Sequence, residues 1–501
     1  MILAAFDKTD LLEPGDSQTL TLSFAVEDMA SYDTGSAGGA GAYVLEAGNY
    51  GISLRNNSHQ VVDTQEYTVR ATVVYDESNP RSTDEKAASN QFTGAEGEIT
   101  YLSRADGFAN YEEATAMPSD FEVHGIIEAH GTYDPMEHNH AEDVMPTTGA
   151  NNGIRLNDMR GLSYDDPKWE GLLDQVTVEE MVNLIGYGGF QTVAVKSVDK
   201  PSTMDTDGPA GVNYFMTSSF GTGYCSELLL AQTWNIDLAQ ELGAGICREL
   251  TDFGFDGWYG PSMNLHRSAF GGRNFEYYSE DGLLSAEMAW SEAEAAYEVG
   301  VYPYLKHFIL NEQETNRNAL LCTWFTEQSL RELYAKPFEA CVKGNDRSAL
   351  AVMSSYNFLG TTWAAEHTGL LNEVLRTEWG FRGMVLSDYF GNYGYMDADR
   401  AVRGGTDIML GTAGNDAVMT DDESASSVIA MRQAVKNIFY TVVNSRAYEN
   451  YVPGQIPDWM KILYGVDAGL AAVAVILEIL SVRHYKKKKE TVTQENSGGQ
   501  K

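Results

Sequence analysis

The pattern of apolar and polar positions changes near Trp169. Upstream of it, apolar and polar residues alternate in TLTLSFAV (19–26), YVLEAGNYGISL (43–54) and YTVRATVVY (67–75), with the turn-rich SYDTGSAGGAGA (31–42) after the first. A period of two is the signature of strands with one buried face. It predicts a β-sandwich over residues 1–75, and a partial one, because about four strands are visible where a complete sandwich has about seven. From 76 to 165 the chain is polar, rich in Asp, Glu, Ser, Asn and Gly, and without periodicity. That texture predicts a long linker lying across another domain.

Downstream, helical stretches alternate with short apolar runs that end in polar clusters. The helical stretches are WEGLLDQVTVEEMVNLI, CSELLLAQTWNIDLAQELGAGICREL, EDGLLSAEMAWSEAEAAYEV and EQSLRELYAKPFEACVK. The strand ends are TMDTDGPAG, GWYGPSMNLHR, PYLKHFILNE, LAVMSSYN, MVLSDYFG and TDIMLG. Strand–helix alternation of this length predicts an α/β fold, a (β/α)8 TIM-like barrel over 166–450, with six of its eight strands identifiable. In such barrels the chemistry gathers at the C-terminal ends of the strands, where these polar clusters fall.

Between Lys461 and Arg483 lies ILYGVDAGLAAVAVILEILSV, followed by Arg483, His484, Tyr485 and Lys486 to Lys489. That run is long enough to span a bilayer. It predicts a transmembrane helix over 460–484 and a basic cytoplasmic tail over 485–501, with the barrel on the outside of a cell membrane. Asp467 and Glu478 oppose insertion, since a carboxylate at the bilayer centre costs about 2.5–3.5 kcal/mol, but both sit toward the ends of the segment. At the other terminus, Met1 to Phe6 is apolar and Asp7, Lys8 and Asp10 follow at once, so no signal peptide is predicted.

Charge narrows the partners. Acidic residues outnumber basic ones 72 to 34, a formal net charge of -38. Nucleic acid is excluded, because phosphate binding needs clustered Lys and Arg. Cys225, Cys247, Cys322 and Cys341 have no metal-binding spacing and are read as ordinary buried thiols rather than a disulfide framework. His138-Asn139-His140, near Glu137, Glu142 and Asp143, is read as an exposed polar loop. No metal and no cofactor is assigned.

Asp388 follows the apolar run Met384-Val385-Leu386. A carboxylate there must be surrounded by cations or donors, or else it caps the next helix. Lys306 and His307 end another run, Arg273 follows a Gly-Gly turn, and Asp207 lies in an Asp-Gly-Pro loop. Singly, each has an ordinary structural reading: a surface lysine, a core histidine, an arginine paired with Glu276 or Glu280. Together at strand ends, basic groups and carboxylates suit a neutral polyol, whose hydroxyls both donate and accept.

DGPAG (207–211), GGRNFEYYSED (271–281), KHF (306–308), MSSYN (353–357) and SDYFG (387–391) occur in an order that resembles the barrel of family 3 β-glucosidases, across about residues 165–445. The N-terminal strands and linker resemble the fibronectin III-like domain and connector of members in which the barrel comes last. The resemblance implies hydrolysis of terminal non-reducing β-linked sugars with retention, through a covalent intermediate on Asp388. It implies that Asp207, Arg273, Lys306 and His307 hold the sugar and that Tyr356 lies beside the nucleophile. Many members have Trp where this chain has Tyr389, which bears on the leaving group. The family's second carboxyl is a Glu on a separate α/β sandwich domain, which this sequence does not show. A membrane-tethered sugar-binding fragment with little or no turnover is therefore the alternative reading.

Overall fold

Each of the six apolar runs forms one parallel strand in the computed structural model, which describes residues 2–97, 100–103, 105–116, 132–344, 351–391, 393–412, 417–449 and 458–498. In chain order, after five N-terminal strands β1–β5 and the short β6 (Gln191–Thr192), the first is β7 (Thr203–Asp207). The hairpin β8 (Asn213–Tyr214) and β9 (Ser219–Phe220) extends it. The others are β10 (Gly257–Tyr259), β11 (Tyr302–Phe308), β13 (Ala351–Ser354), β16 (Val385–Tyr389) and β17 (Ile408–Leu410). Their order is β17-β16-β13-β11-β10-β7, every neighbouring pair parallel. Strands buried on both faces read as unbroken apolar runs rather than alternations, which is why these six are visible in the sequence.

The expected eight parallel strands are not found among the described residues. The sheet instead curls across one irregular segment. Gly188 and Gly189 donate backbone hydrogen bonds to Met409 and Gly411 at 2.9 and 3.0 Å, beside β17. Two residues later β6 pairs antiparallel with β7. The approach to β17 is close enough that a Cβ on Gly188 would lie 2.6 Å from the Met409 carbonyl. Only glycine fits there.

The helices pack on the outside of this sheet. Thr177 and Glu180 form a reciprocal cap, Thr177 Oγ1 accepting from the Glu180 amide at 3.2 Å and Glu180 Oε2 from the Thr177 amide at 3.1 Å. That cap splits the expected single helix at 169–185 into Lys168–Leu173 and Val178–Gly186. Likewise 225–250 breaks into Glu227–Ala231 and Ile236–Phe253, the second capped by the Asn235 side chain. A small sheet of β12 (Cys322–Thr323), β14 (Phe358–Leu359) and β15 (Thr362–Trp363) lies beyond the strand ends. No disulfide joins any two of the four cysteines. Cys247 and Cys341 are buried as expected, whereas Cys322 is half-buried and Cys225 exposed, because Cys225 lies in a loop and Cys322 on the short β12, and neither on a packed helix face.

At the N-terminus, β1 (Ser31–Asp33), β2 (Ala42–Leu45) and β5 (Val73–Tyr75) form one antiparallel sheet, and β3 (Gly48–Arg55) and β4 (Val61–Val69) a hairpin. The run 19–26, expected as a strand, is not one. Its apolar face is only partly covered: Leu20 and Phe24 are half-buried, but Leu22 and Val26 are each 42% exposed. The segment that follows is pinned to the barrel. Arg331 donates to Glu378 at 2.8 and 3.0 Å, to Glu327 at 3.0 Å and to the Ser89 carbonyl at 2.7 Å. Its guanidinium lies 4.6 Å from the ring centroid of Tyr32 on β1. Glu327 in turn accepts from the amides of Gln91 and Phe92. His138 stacks on Tyr133, and the His140 amide donates to Ser426. Residues 117–131 of the expected linker and 499–501 of the expected tail lie outside the described residues.

A second unit, Tyr451–Lys501, contains one helix, Asp458–Gly498. Within it, Met460–Lys489 is long and apolar enough to cross a membrane. The basic residues expected as a tail continue the same helix.

Arg331 is fully buried and cannot lose its proton, so removing it strands Glu327 and Glu378 in the interior. Arg331→Ala is expected to destabilise unit Met1–Asn450 by about 3–5 kcal/mol in chemical denaturation. A loss below about 1 kcal/mol would show that the node does not join the N-terminal strands to the barrel.

Candidate active site

β7, β11 and β16 deliver Asp207, Lys306 and Asp388 to the same, C-terminal edge of the sheet. His307 follows Lys306 on β11. Arg273 reaches them from the loop after β10, ahead of the turn Asn274–Glu276. Lys306 and His307 are 3% and 2% exposed, and Asp388 is 8% exposed. Asp207 is more open, with 43% of its side chain accessible.

Lys306 Nζ donates to Asp207 Oδ1 at 2.8 Å, and the Gly208 amide donates to the same oxygen at 2.8 Å. Burial works against the Asp207 charge, but Lys306 and these donors hold its carboxyl below the usual range. Arg273 grips Glu276 with both arms of its fork, Nε to Oε1 and Nη2 to Oε2, the latter at 2.8 Å. Its Nη1 lies 2.9 Å from His307 Nε2.

That contact fixes the histidine. A guanidinium can only donate, so Nε2 must accept, and the ring proton sits on Nδ1 facing the Tyr277 hydroxyl at 3.3 Å. Tyr277 accepts from Asn311 Nδ2 at 2.9 Å and lies 3.3 Å from the Asn311 carbonyl. Burial first, then Arg273, Lys306 and Arg317, push His307 well below its ordinary range, so it is neutral. Its backbone is clamped by the Asn264 amide group, which accepts from its N–H at 2.9 Å and donates to its carbonyl at 3.0 Å. Asn264 sits beside Glu312, whose carboxyl burial raises to about 7.

Asp388 accepts from the Tyr389 amide at 2.7 Å through Oδ1. Its other oxygen lies 3.5 Å from Arg317 Nη1 and 3.9 Å from His307 Nε2. Burial raises the Asp388 carboxyl above its usual value, while Arg317, Arg273, the Tyr389 amide and Lys306 pull the other way. Tyr356 is buried beside it. Arg317 lies 4.6 Å over the Tyr356 ring, and burial together with the Asp388 charge drives the phenol far above its ordinary range. Tyr389 is 41% exposed at the rim.

All six sequence-derived candidates thus meet in one network of contacts or charge interactions. Arg317 is a further member that the sequence reading did not name. It also pairs with Glu314 at 2.9 Å, which Asn311 contacts at 2.8 Å and Arg273 approaches at 3.9 Å. Its signal in the sequence is faint: a polar run, Asn311 to Arg317, continuing past a strand end. Two carboxylates, the buried Glu276 and the half-buried Glu314, therefore serve guanidinium groups. The arrangement can bind hydroxyls on several sides and present one carboxylate oxygen of Asp388 to an electrophile.

A family model described as "Glycosyl hydrolase family 3 N terminal domain" matches residues 178–445, and one described as "Fibronectin type III-like domain" matches residues 2–58. Beta-glucosidase A of Butyrivibrio fibrisolvens is 29% identical over 440 residues, covering 82% of this chain and 49% of its own. A beta-glucosidase of Ruminococcus albus is 32% identical over 400 residues, covering 78% and 40%. Among solved structures, a beta-glucosidase from Paenibacillus barengoltzii aligns with a TM-score of 0.66 at 24% identity, covering 91% of this chain and 50% of that one. That likeness speaks to the fold. The chain spans half or less of the length of these relatives.

The raised Asp388 carboxyl has a consequence for stability. A carboxyl raised on folding contributes stability below its unfolded value, about 3.9, and loses it as pH climbs through the folded value. At pH 7 the ionised Asp388 therefore opposes folding. Asp388→Asn is expected to melt at a higher temperature than the parent at pH 7, with the gap narrowing as pH falls toward the ordinary carboxylate range. A gap independent of pH in differential scanning calorimetry would assign the effect to packing instead of charge.

Proposed function

The chain belongs to glycosyl hydrolase family 3, and on that premise we propose that it hydrolyses terminal non-reducing β-linked sugars, glucosides first among them. The observation that carries this reading is the strand-end Asp388 carboxylate, nearly enclosed yet with one oxygen directed at cations rather than locked into a helix cap. In the proposed reaction that oxygen attacks the anomeric carbon as the aglycone leaves. Water then displaces the sugar from the resulting ester, and configuration is retained. Asp207 and Lys306 bind hydroxyls at the open side of the sugar. Arg273 and neutral His307 bind them deeper in, where a donor and a donor–acceptor pair can tighten as the ring flattens. Arg317 and Tyr356 position the nucleophile.

Retention also needs an acid to protonate the departing oxygen. Glu276 and Glu314 are held by guanidinium groups, and neither is assigned that role. We further infer that Met460–Lys489 spans a membrane, with Lys486–Lys489 on the cytoplasmic side and residues 1–450 outside. The basic cluster at one end of the apolar run and the acidic remainder of the chain support that orientation.

The nucleophile is tested with a 2-deoxy-2-fluoro glucoside. Covalent labelling is expected at Asp388 in the parent and none in Asp388→Ala; a peptide map placing the label elsewhere would overturn the assignment. Lys306→Ala and Arg273→Ala are expected to lower kcat as well as raise KM, by on the order of 10²-fold in kcat/KM. Kinetics within twofold of the parent would place either side chain outside the sugar site.

The acid is tested by leaving group. A dinitrophenyl glucoside needs no protonation, whereas a disaccharide loses about 10²–10⁴-fold without it. If no residue of this chain is the acid, the activated substrate is turned over, azide accelerates it to the β-glucosyl azide, and the disaccharide is cleaved poorly. Efficient disaccharide cleavage unaffected by azide would show that these 501 residues carry their own acid. For the membrane reading, protease added to intact cells is expected to degrade the barrel; a barrel cut only after lysis would reverse the orientation.

A further inference from the structure

The N-terminal edge of the sheet, opposite Asp388, holds a second concentration of cations. Arg376 anchors it. Its guanidinium donates to Asp407 at 2.6 Å and to the Gly383 carbonyl at 2.9 Å, and Asp407 also accepts from the amide of Val385, the first residue of β16. Asp388 lies three residues further along that strand, at its other end. Beside Arg376 opens a cavity of about 420 Å³, lined in part by Lys86, Tyr164, Arg376 and Arg382.

Three features of this cavity bear on what it would hold. First, its cations are poorly answered. Among the described residues, neither Lys86 nor Arg382 is in an ion pair, and Arg376 Nε is shielded from solvent without an acceptor. Arg382 spends one nitrogen on the carbonyls of Arg376 and Phe381, at 2.8 and 3.2 Å, which fixes its fork in place. Second, the aromatic ring between them is set. The Tyr164 hydroxyl donates to Asn437 at 2.5 Å and accepts from Gln433 at 2.6 Å, while Arg382 lies 5.6 Å and Lys436 Nζ 4.3 Å from the ring centroid. Third, the surroundings make the cluster stand out. The chain carries 72 acidic residues against 34 basic ones, so its long-range field repels anions, yet the cavity's only lining carboxylate among the described residues is Glu85. Like charges held together this way are relieved by an anion.

We propose that this cavity binds a small oxyanion, phosphate or the carboxylate of an acidic sugar, held by Arg376, Arg382 and Lys86 beside the Tyr164 ring. A guanidinium fork matches the planar or tetrahedral oxygens of either group, and an ammonium supplies a point charge at the open side. The site is independent of the sugar-binding mouth, being at the other end of the strands.

Isothermal titration calorimetry on the 501-residue protein tests it with three probes: inorganic phosphate, D-glucuronate and neutral D-glucose. Phosphate, glucuronate or both are expected to bind, more weakly as salt is raised. Lys86→Gln removes an exposed amine that makes no ion pair among the described residues, so the fold is expected to tolerate it; anion affinity should drop about fivefold. Arg382→Gln should drop it by about tenfold or more. Glucose binding should be the same in parent and variants. Phosphate binding without glucuronate binding identifies a phosphate site, and the converse an acidic-sugar site. Failure of both anions to bind, or binding unchanged in Lys86→Gln and in folded Arg382→Gln, overturns the proposal.

Discussion

A guanidinium cannot shed its proton to escape burial, so wherever the chain encloses an arginine it must also enclose an answer to it. Arg273 and Arg331 show the two ways this constraint shapes the molecule. Arg331 is answered completely, by two carboxylates and a carbonyl, and the result is a structural rivet between the N-terminal strands, the segment around Ser89 and the barrel. Arg273 is answered by Glu276 with two nitrogens, while its third has Glu314 only at 3.9 Å and hydrogen-bonds to a histidine that offers a lone pair and no charge. The second case leaves one guanidinium nitrogen without a carboxylate at hydrogen-bond distance, close to Asp388. The site is therefore built from an incomplete version of the solution that holds the fold together.

The protonation states around Asp388 follow from that deficit. With Arg273, Lys306 and Arg317 on its sides and no water shell, His307 has no reason to take a proton. A neutral His307 is an acceptor at Nε2 for Arg273 and cannot form a full ion pair with Asp388 at 3.9 Å. Asp388 keeps one lone-pair direction uncommitted as a result. Were His307 charged, it would compete for that oxygen and weaken Asp388 in the nucleophilic role proposed for it. Burial and cation placement thus act in opposite senses on the carboxylate: one raises its energy, the other keeps it ionised.

What the sequence disclosed follows from how local each signal is. Runs such as Met384-Val385-Leu386 are apolar on both faces because both faces are buried, so they announce themselves without reference to the rest of the chain. The alternation in 19–26 is equally clear but needs a partner surface, which covers Leu22 and Val26 only in part; periodicity reports a capacity, and tertiary contact decides whether it is used. The long helical stretch at 225–250 is interrupted where the Asn235 side chain caps a new helix, a start signal that the apolar spacing on either side of it masks. Arg317 was missed for the opposite reason. It lies in a loop, and nothing in Asn311-to-Arg317 says that this side chain turns back over Tyr356 toward Asp388. The neutral state of His307 was not legible at all, since it depends first on burial and then on three cations contributed from positions 273, 306 and 317.

The two ends of the sheet differ in their balance of charge. At the mouth, Arg273, Lys306 and Arg317 face Asp207, Glu276, Glu314 and Asp388, so cations are matched or exceeded by carboxylates. A neutral sugar meets donors and acceptors there without importing a charge. An acidic sugar would have to bring its carboxylate against Asp207 or Asp388 in a low-dielectric pocket, where like charges a few ångströms apart repel by several kcal/mol, about 4 at an effective dielectric of 20. At the opposite edge the balance is reversed, with Lys86 and Arg382 outside any ion pair among the described residues and Arg376 holding an unanswered N–H. The segregation follows from where the chain spends its carboxylates: Asp407 is consumed in fixing Arg376 and the start of β16, whereas Asp388, three residues along the same strand from Val385, is left with an oxygen to spare.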